Sequence, residues 1–469
     1  MPTDPFDLVV LGSGPAGQKG AIAAAKIGKR VALIDGQDMI GGVCLHGGTI
    51  PSKTLRLAIL YLTGFRQKSF YGQAYMPRDK VTVSDLLFRV RTVIEREQAQ
   101  VTDQLKRNGV TLIDGLGRFV DDHTVEVSSM TGKAGQHVRG HQILIACGTR
   151  SARNPDIPYD GKQILVSDDF GHGGRDELPR SMIVVGAGVI GLEYASMLAA
   201  LDVRVTVIEQ RSTILDFVDQ EIIEALSYNM RRQGAIFRLG EKVTGVHIQE
   251  NGVVLAELES GKRVTGDALL YTVGRQSNAD QLDLEKAGLA TDSRGRITVN
   301  ENYQTAVPHI YAAGDCIGFP ALASSSMEQG RLASTHMFHG PKFNAAPFFP
   351  YGIYTIPEIS MVGKTEQELT EERIPYEVGK ALYEDVAKAQ MVGDRAGMLK
   401  VIFDPDTLKL LAVHAIGEDA TEIIHIGHAV IALGGTLEYF RDNVFNYPTF
   451  AEAYKVATYN GLNKLEAFR

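Results

Sequence analysis

Asp7-Leu8-Val9-Val10-Leu11-Gly12-Ser13-Gly14-Pro15-Ala16-Gly17 joins a short apolar run to three glycines and then to an alanine-rich segment. Met182-Ile183-Val184-Val185-Gly186-Ala187-Gly188-Val189-Ile190-Gly191 does the same thing much later in the chain. The first unit runs on to Asp35 and the second to Glu209, and in both the first glycine and the acid are 23 positions apart. Residues 7–35 therefore read as a strand, a glycine turn, a helix and a second strand ending at Asp35. Residues 181–209 repeat the design, with a second strand from Arg204 to Ile208 ending at Glu209. Two βαβ units of one design predict two nucleotide-binding domains with parallel sheets and right-handed crossovers.

The glycine spacing has a physical reading. Gly12 permits the tight turn, Gly14 lets a pyrophosphate touch the backbone, and Gly17 lets the helix pack on the strand. The helix N-terminus then offers free N–H groups and about half a positive charge to the phosphates. Asp35 is placed to accept hydrogen bonds from ribose hydroxyls. Gly186, Gly188 and Gly191 make the same case for a second dinucleotide. Glu209 favours the free 2′-hydroxyl of NAD and repels a 2′-phosphate. Arg211, two positions on, either offsets that repulsion in part or is a solvated surface charge.

The chain has 469 residues, enough for about three domains. Its 44% hydrophobic and 22% charged residues are an ordinary globular mix, so a packed core is expected and disorder is not. A formal net charge of −8 argues against nucleic acid, which needs clustered Lys and Arg. The three cysteines, Cys44, Cys147 and Cys316, are too few and too scattered for a disulfide framework. No basic leader and no apolar run of about 20 residues is present, so no membrane segment and a cytoplasmic protein are expected.

Between the repeats, Leu86, Leu87, Val90, Val93, Ile94, Val101 and Leu105 recur at helical spacing on a charged background, which predicts a long amphipathic helix. Residues 111–146 read as short strands, as do Val253 to Leu258 and Ala268 to Val273. From about residue 348 the pattern becomes α+β, with antiparallel strands at Met398 to Phe403 and Lys409 to Ala415 and helices over 420–434 and 450–464. The change falls near Pro347 to Pro350.

At this point the chain resembles the FAD-dependent pyridine nucleotide–disulfide oxidoreductases, and the resemblance runs nearly end to end. Gly41-Gly42-Val43-Cys44 followed by Gly48-Thr49-Ile50-Pro51-Ser52-Lys53 is similar to the family's flavin-side helix. Ala146-Cys147-Gly148-Thr149 resembles its Ala-Thr-Gly strand, and Gly274-Arg275 with Asn278 its Gly-Arg-x-Pro-Asn segment. Ile310-Tyr311-Ala312-Ala313-Gly314-Asp315 resembles the strand and turn whose Asp holds FAD. The resemblance implies a glutathione-reductase-like α/β fold with two Rossmann-like domains and a C-terminal α+β dimerisation domain. Residues 1–150 and 276–347 would bind FAD, 151–275 NAD(P), and 348–469 would form the contact of a homodimer or higher oligomer. It also implies that the Lys53 ammonium lies near flavin N5 and that Glu193 pairs with it beside the nicotinamide.

Two departures from the family pattern matter more than the matches. The family places a second Cys five residues after the first, completing a redox disulfide; here Cys44 is followed at that position by Thr49. A hydroxyl cannot form a disulfide. Cys147 and Cys316, on strands of the FAD domain, are expected to be buried small hydrophobes out of reach of Thr49. Near the C-terminus the family has His before Pro-Thr with a Glu five positions after it; here Tyr447-Pro448-Thr449 keeps Glu452 but loses the His. Tyrosine, ionising near pH ~10, is a poor general base near neutrality, where histidine (about 6.5) serves. His46 stands where many members carry Asn, either tuning the flavin, shaping the vacated thiol site, or filling space through a hydrogen bond. His425 and His428 are one helical turn apart with no Cys or carboxylate cluster at ligand spacing, so no metal is expected.

With the thiol machinery absent, the resemblance is to members that exchange hydride between NADPH and NAD⁺ through FAD in a ping-pong reaction, of the type using the si face of the nicotinamide. NAD(H) and NADP(H) are then substrates. Two other readings stay open: a diaphorase or quinone reductase, and a non-catalytic flavin redox sensor.

Overall fold

The computed structural model describes residues 4–65, 71, 81–128, 135–170, 177–340 and 348–467. The strand Phe6–Leu11 lies at the middle of a parallel sheet. Val31–Asp35 and then Thr111–Asp114 flank it on one side; Gln136–Ile145 and then Ile310–Ala312 flank it on the other. Leu8 to Leu11 are all buried with no polar alternation, as a strand covered on both faces requires. The helix Pro15–Lys26 crosses Ala323–His339 at backbone contact: a Cβ on Gly330 would stand 2.0 Å from the Ala16 carbonyl oxygen.

The second repeat forms another parallel sheet, ordered Ile236–Leu239, Arg204–Glu209, Ser181–Val185, Ala268–Tyr271 and Ile164–Val166. Its helix Val189–Ala200 is mostly apolar and is buried from Gly191 to Ala200, Glu193 and Ser196 included. Leu192, Tyr194, Ala195 and Leu198 share one core with Leu55 and Ile59 of the helix Thr49–Leu62 and with Ile353, Ile356 and Ile359. Thr149–Ser151 pairs antiparallel with Arg275–Ser277 where the chain passes from the first sheet to the second and back.

The last part is α+β. Five antiparallel strands run in the order Tyr351–Ile353, Ile359–Gly363, Leu410–Ile416, Met398–Phe403 and Glu377–Leu382, with the helices Ala420–Ala432 and Glu452–Ala467. The strand expected from Lys409 to Ala415 is thus one residue later, and the last helix begins two residues later than expected. The long helix is Val83–Arg107, opened by a capping box in which Thr82 and Asp85 bond each other's backbone N–H. Of its expected apolar stripe, Leu86, Leu87, Val90 and Leu105 are buried. Among the described residues no helix is long and apolar enough to cross a membrane. The expected boundary residue Pro347 lies outside the described residues.

A buried ionic joint ties the second sheet to the C-terminal one. Asp219 caps the helix Gln220–Arg232, and Lys400 reaches it from the strand Met398–Phe403; both side chains are fully buried. The Lys400 Nζ lies 2.8 Å from Asp219 and 3.2 Å from Glu221, and also pairs with Glu366. Removing one partner of a buried pair leaves an uncompensated charge. Lys400→Met is therefore expected to lower unfolding stability by about 3–5 kcal/mol, read from urea midpoints. A change under about 1 kcal/mol would mean that water reaches the joint.

Candidate active site

A cavity of about 1030 Å³ opens at the carboxyl edge of the first sheet. Of the residues singled out above, Gly12, Gly14, Asp35, Gly42, Cys44, Thr49, Lys53, Gly148, Glu193, Arg275, Gly314 and Asp315 line it. Gly17, Gly186, Gly188, Gly191, Glu209 and Gly274 are not in its wall. The second glycine turn therefore contributes to this cavity through its helix, by Val189, Ile190 and Glu193, and not through its loop.

The glycines of the first turn are glycine for different reasons. Gly12 has φ +103° and a Cβ there would meet the Ala146 carbonyl oxygen at 2.3 Å, so the protein itself excludes a side chain. Gly14 has ordinary extended torsions (φ −60°, ψ 179°), and a Cβ would meet nothing within 4 Å. Gly188 repeats this, with φ −77°, ψ −177° and nothing within 4 Å. No packing or torsion requires glycine at either place. Open space before a helix N-terminus is what a pyrophosphate needs, and the residues present fit one.

The repeat extends to its hydrogen bonds. The Ser13 N–H donates to Asp35 Oδ2 at 2.7 Å, and the Ala187 N–H to Glu209 Oε2 at 2.8 Å. Burial holds the Asp35 carboxyl above its usual range in spite of these donors. Burial also acts to raise Glu209, but there the Ala187 N–H and Arg211 outweigh it and hold the carboxyl low.

All three parts of the chain meet at one ion pair. The Lys53 Nζ donates to both Glu193 oxygens, at 2.8 and 2.7 Å, joining the helix Thr49–Leu62 to Val189–Ala200. The Tyr354 N–H donates to Glu193 Oε1 at 2.9 Å, and the Tyr354 ring lies under the ammonium, 5.0 Å from centroid to Nζ. Glu193 is nearly buried and Lys53 opens to the cavity, with side-chain exposures of 5% and 24%. The lysine and glutamate are legible in the sequence; Tyr354 carries no motif signal and is found only once the C-terminal sheet is in place.

The model of the pyridine nucleotide-disulphide oxidoreductase family matches residues 6–330, and that of its dimerisation domain matches residues 349–458. The chain belongs to this family. It is 52% identical to the soluble pyridine nucleotide transhydrogenase of Mycobacterium tuberculosis, over 98% of each chain. It is 44% identical to the soluble pyridine nucleotide transhydrogenase of a Marinomonas species, over 99% of this chain and all of that one. Among solved structures it is similar to LpdA of Mycobacterium tuberculosis, with a TM-score of 0.89 and 26% identity over 96% and 98% of the two chains. It is also similar to the HOCl-induced flavoprotein disulfide reductase RclA of Escherichia coli, with a TM-score of 0.86 and 27% identity over 97% and 99%.

Against the family pattern, Thr49 stands where the second Cys would be; burial pushes the Cys44 thiol up, and Thr49 acts in the opposite direction. All three cysteines are free. Cys316 is buried as expected, but Cys147 is only partly so and lines the cavity. The two sit together at the ends of adjacent parallel strands, and the Cys316 thiol, followed by burial, drives the Cys147 thiol well up. Their proximity was not legible because most of the 168 residues between them form a separate part of the fold before the chain returns to the first sheet.

Arg275 is engaged by the protein, donating to Thr149 Oγ1 at 2.8 Å and its carbonyl at 2.9 Å, with Asp168 at 3.2 Å. Asn278 donates to the Cys147 carbonyl at 2.9 Å. His46 Nε2 hydrogen-bonds the Ile40 carbonyl at 2.9 Å. Tyr447 is exposed on the C-terminal part, and one Glu452 oxygen is buried without a hydrogen-bond partner. His425 and His428 line the cavity. Among the described residues, Asp122 with His123 and His309, and Asp219 with Glu221 and Glu366, come together at metal-ligand spacing through the fold; in the second the Lys400 ammonium already sits among the carboxylates.

Proposed function

We propose that this protein exchanges hydride between NADPH and NAD⁺ in a ping-pong reaction on FAD, without a redox disulfide, on the si face of the nicotinamide. Residues 1–150 and 276–347 hold FAD, 151–275 the nicotinamide nucleotide, and 348–469 join two subunits. The names of the relatives support the reaction, and the dimerisation-domain match, with exposed Leu433, Val444 and Tyr447, supports the homodimer. The open space at Gly14 and the flavin-side helix support FAD in the cavity.

The observation that carries the reading is the Lys53–Glu193 pair joining the two nucleotide-binding units beside a position where Thr49 replaces sulfur. FAD supplies a group that takes up hydride from one nucleotide and releases it to the next. With FAD bound, Lys53 would present a cation to it, and Glu193, fixed by the Tyr354 N–H, would balance that cation. With both groups bound, the protein's further contribution would be to hold them together, where proximity would supply most of the rate with no acid–base residue required.

Stopped-flow mixing with NADPH is expected to bleach the flavin absorbance, and NAD⁺ added afterwards to restore it at a comparable rate. Restoration by a soluble quinone orders of magnitude faster than by NAD⁺ would replace the transhydrogenase reading with a quinone reductase. Negligible turnover with either would leave a redox sensor.

A further inference from the structure

Lys53 and Glu193 are each followed, one helical turn on, by a buried polar side chain that is not in the cavity wall. On the helix Thr49–Leu62 it is Arg56, and on Val189–Ala200 it is Ser196. That spacing puts each on the same helix face as the residue of the ion pair. Both reach residues 354–358, the turn between the strands Tyr351–Ile353 and Ile359–Gly363. The Arg56 Nε donates to the Thr355 carbonyl at 3.0 Å, and its Nη2 pairs with Glu358 Oε2 at 3.1 Å. The Ile356 N–H donates to Ser196 Oγ at 3.0 Å, and that hydroxyl donates to the Glu193 carbonyl at 2.9 Å. The same turn supplies the Tyr354 N–H that fixes the Glu193 carboxylate. The turn is held from its other side too. Glu358 Oε1 accepts from the Thr421 N–H at 3.2 Å and from its hydroxyl at 3.0 Å, in the first turn of the helix Ala420–Ala432.

The Arg56 and Glu358 side chains are 7% and 8% exposed, so both charges are largely desolvated. A buried pair of this kind gains little stability over apolar residues of the same size. What it supplies is direction, because the planar guanidinium meets a carbonyl and a carboxylate with its donors in a fixed fork. We propose that Arg56 and Glu358 are positioning residues for the hydride step: by locking residues 354–358 to the helix Thr49–Leu62, they set where the Lys53 ammonium stands against Glu193. Arg56 holds the helix that carries Lys53. Tyr354 and Ile356 hold the helix that carries Glu193. One turn is common to both, so neither helix can shift along the other without breaking a bond at the turn.

This inference rests on the Lys53–Glu193 pair serving hydride exchange, so its test includes one readout that involves no hydride. In FAD-loaded protein, Arg56→Met combined with Glu358→Gln removes both charges together, leaves neither ion buried alone and keeps an acceptor for Thr421. The double variant should match the wild type in urea midpoint and FAD content, and within about twofold in KM for NADPH, while bleaching slows about ten- to 100-fold. Acetylation of Lys53 by acetic anhydride, read by mass spectrometry against the exposed Lys106, should quicken about tenfold. Arg56→Lys keeps the charge opposite Glu358 but loses the fork to Thr355; it should fall between the two on both readouts, and it carries the test if the double variant does not fold. Wild-type rates of bleaching and acetylation together overturn the proposal and leave the hydride-exchange reading standing. Slower bleaching without faster acetylation also overturns it, since the effect then does not pass through Lys53. Faster acetylation with undiminished bleaching overturns it as well, and removes Lys53 from the reaction. If NADPH does not bleach the wild type, the hydride-exchange reading falls, and the acetylation rates alone decide whether Arg56 and Glu358 place Lys53.

Discussion

Gly14→Val is expected to purify as folded, colourless protein. The substitution separates what the chain needs from what the ligand needs. At Gly14 the torsions suit any residue and no protein atom lies within 4 Å of where a Cβ would stand, so the backbone is under no obligation to be glycine. The side chain instead fills the space before the helix Pro15–Lys26, where the pyrophosphate approaches the backbone N–H groups. The flavin-to-protein absorbance ratio should fall more than about tenfold, a loss of roughly 1.4 kcal/mol or more in FAD binding. Gly14→Ala, with a smaller intrusion, should retain an intermediate amount of FAD. Gly12→Ala is the contrast: its Cβ strikes the Ala146 carbonyl and its φ is left-handed, so it should lower stability of the apoprotein as well. Full yellow colour in Gly14→Val would show that FAD does not lie along this turn.

The second large effect is expected at Glu193. Glu193→Gln keeps the size and one acceptor oxygen but removes the charge that pairs with Lys53 at 2.7 Å. The ammonium is then left without an anion, its neighbours being the amide oxygen, Ser52 Oγ at 3.2 Å and the Tyr354 ring. Losing one partner of a largely desolvated pair upsets both the charge at the reacting end of the cavity and the position of the lysine. Bleaching by NADPH should slow about 100-fold, the order expected when a reacting group is displaced by about an ångström. FAD content should stay unchanged, because Glu193 belongs to the second repeat. Loss of FAD would show that Glu193 serves flavin binding and not the reaction between flavin and nucleotide.

The two repeats were legible because each strand, turn and helix is encoded locally and the same pattern occurs twice. Even the bond from the residue after the first glycine to the strand-end acid repeats, Ser13 to Asp35 and Ala187 to Glu209. Lys53 and Glu193 were legible as candidates, but 140 residues separate them, and only the docking of two helices makes them a pair. Tyr354 was not legible at all: it acts through its backbone N–H and ring face, which no side-chain pattern announces. The Lys400 joint escaped for a similar reason, since a lysine within an apolar strand gives no sign of which distant carboxylates will enclose it. Cys147 and Cys316 show the reverse case, in which spacing suggested separation and parallel strands brought the sulfurs together.

In the proposed reaction, electrons taken from a nucleotide have no sulfur to move to, and anaerobic titration with NADPH counts them. Bleaching should be complete at one NADPH per FAD, the number of reactive thiols among Cys44, Cys147 and Cys316 should be the same before and after reduction, and one NAD⁺ should restore the colour. Uptake of a second reducing equivalent per FAD, accompanied by new reactive thiols, would contradict this.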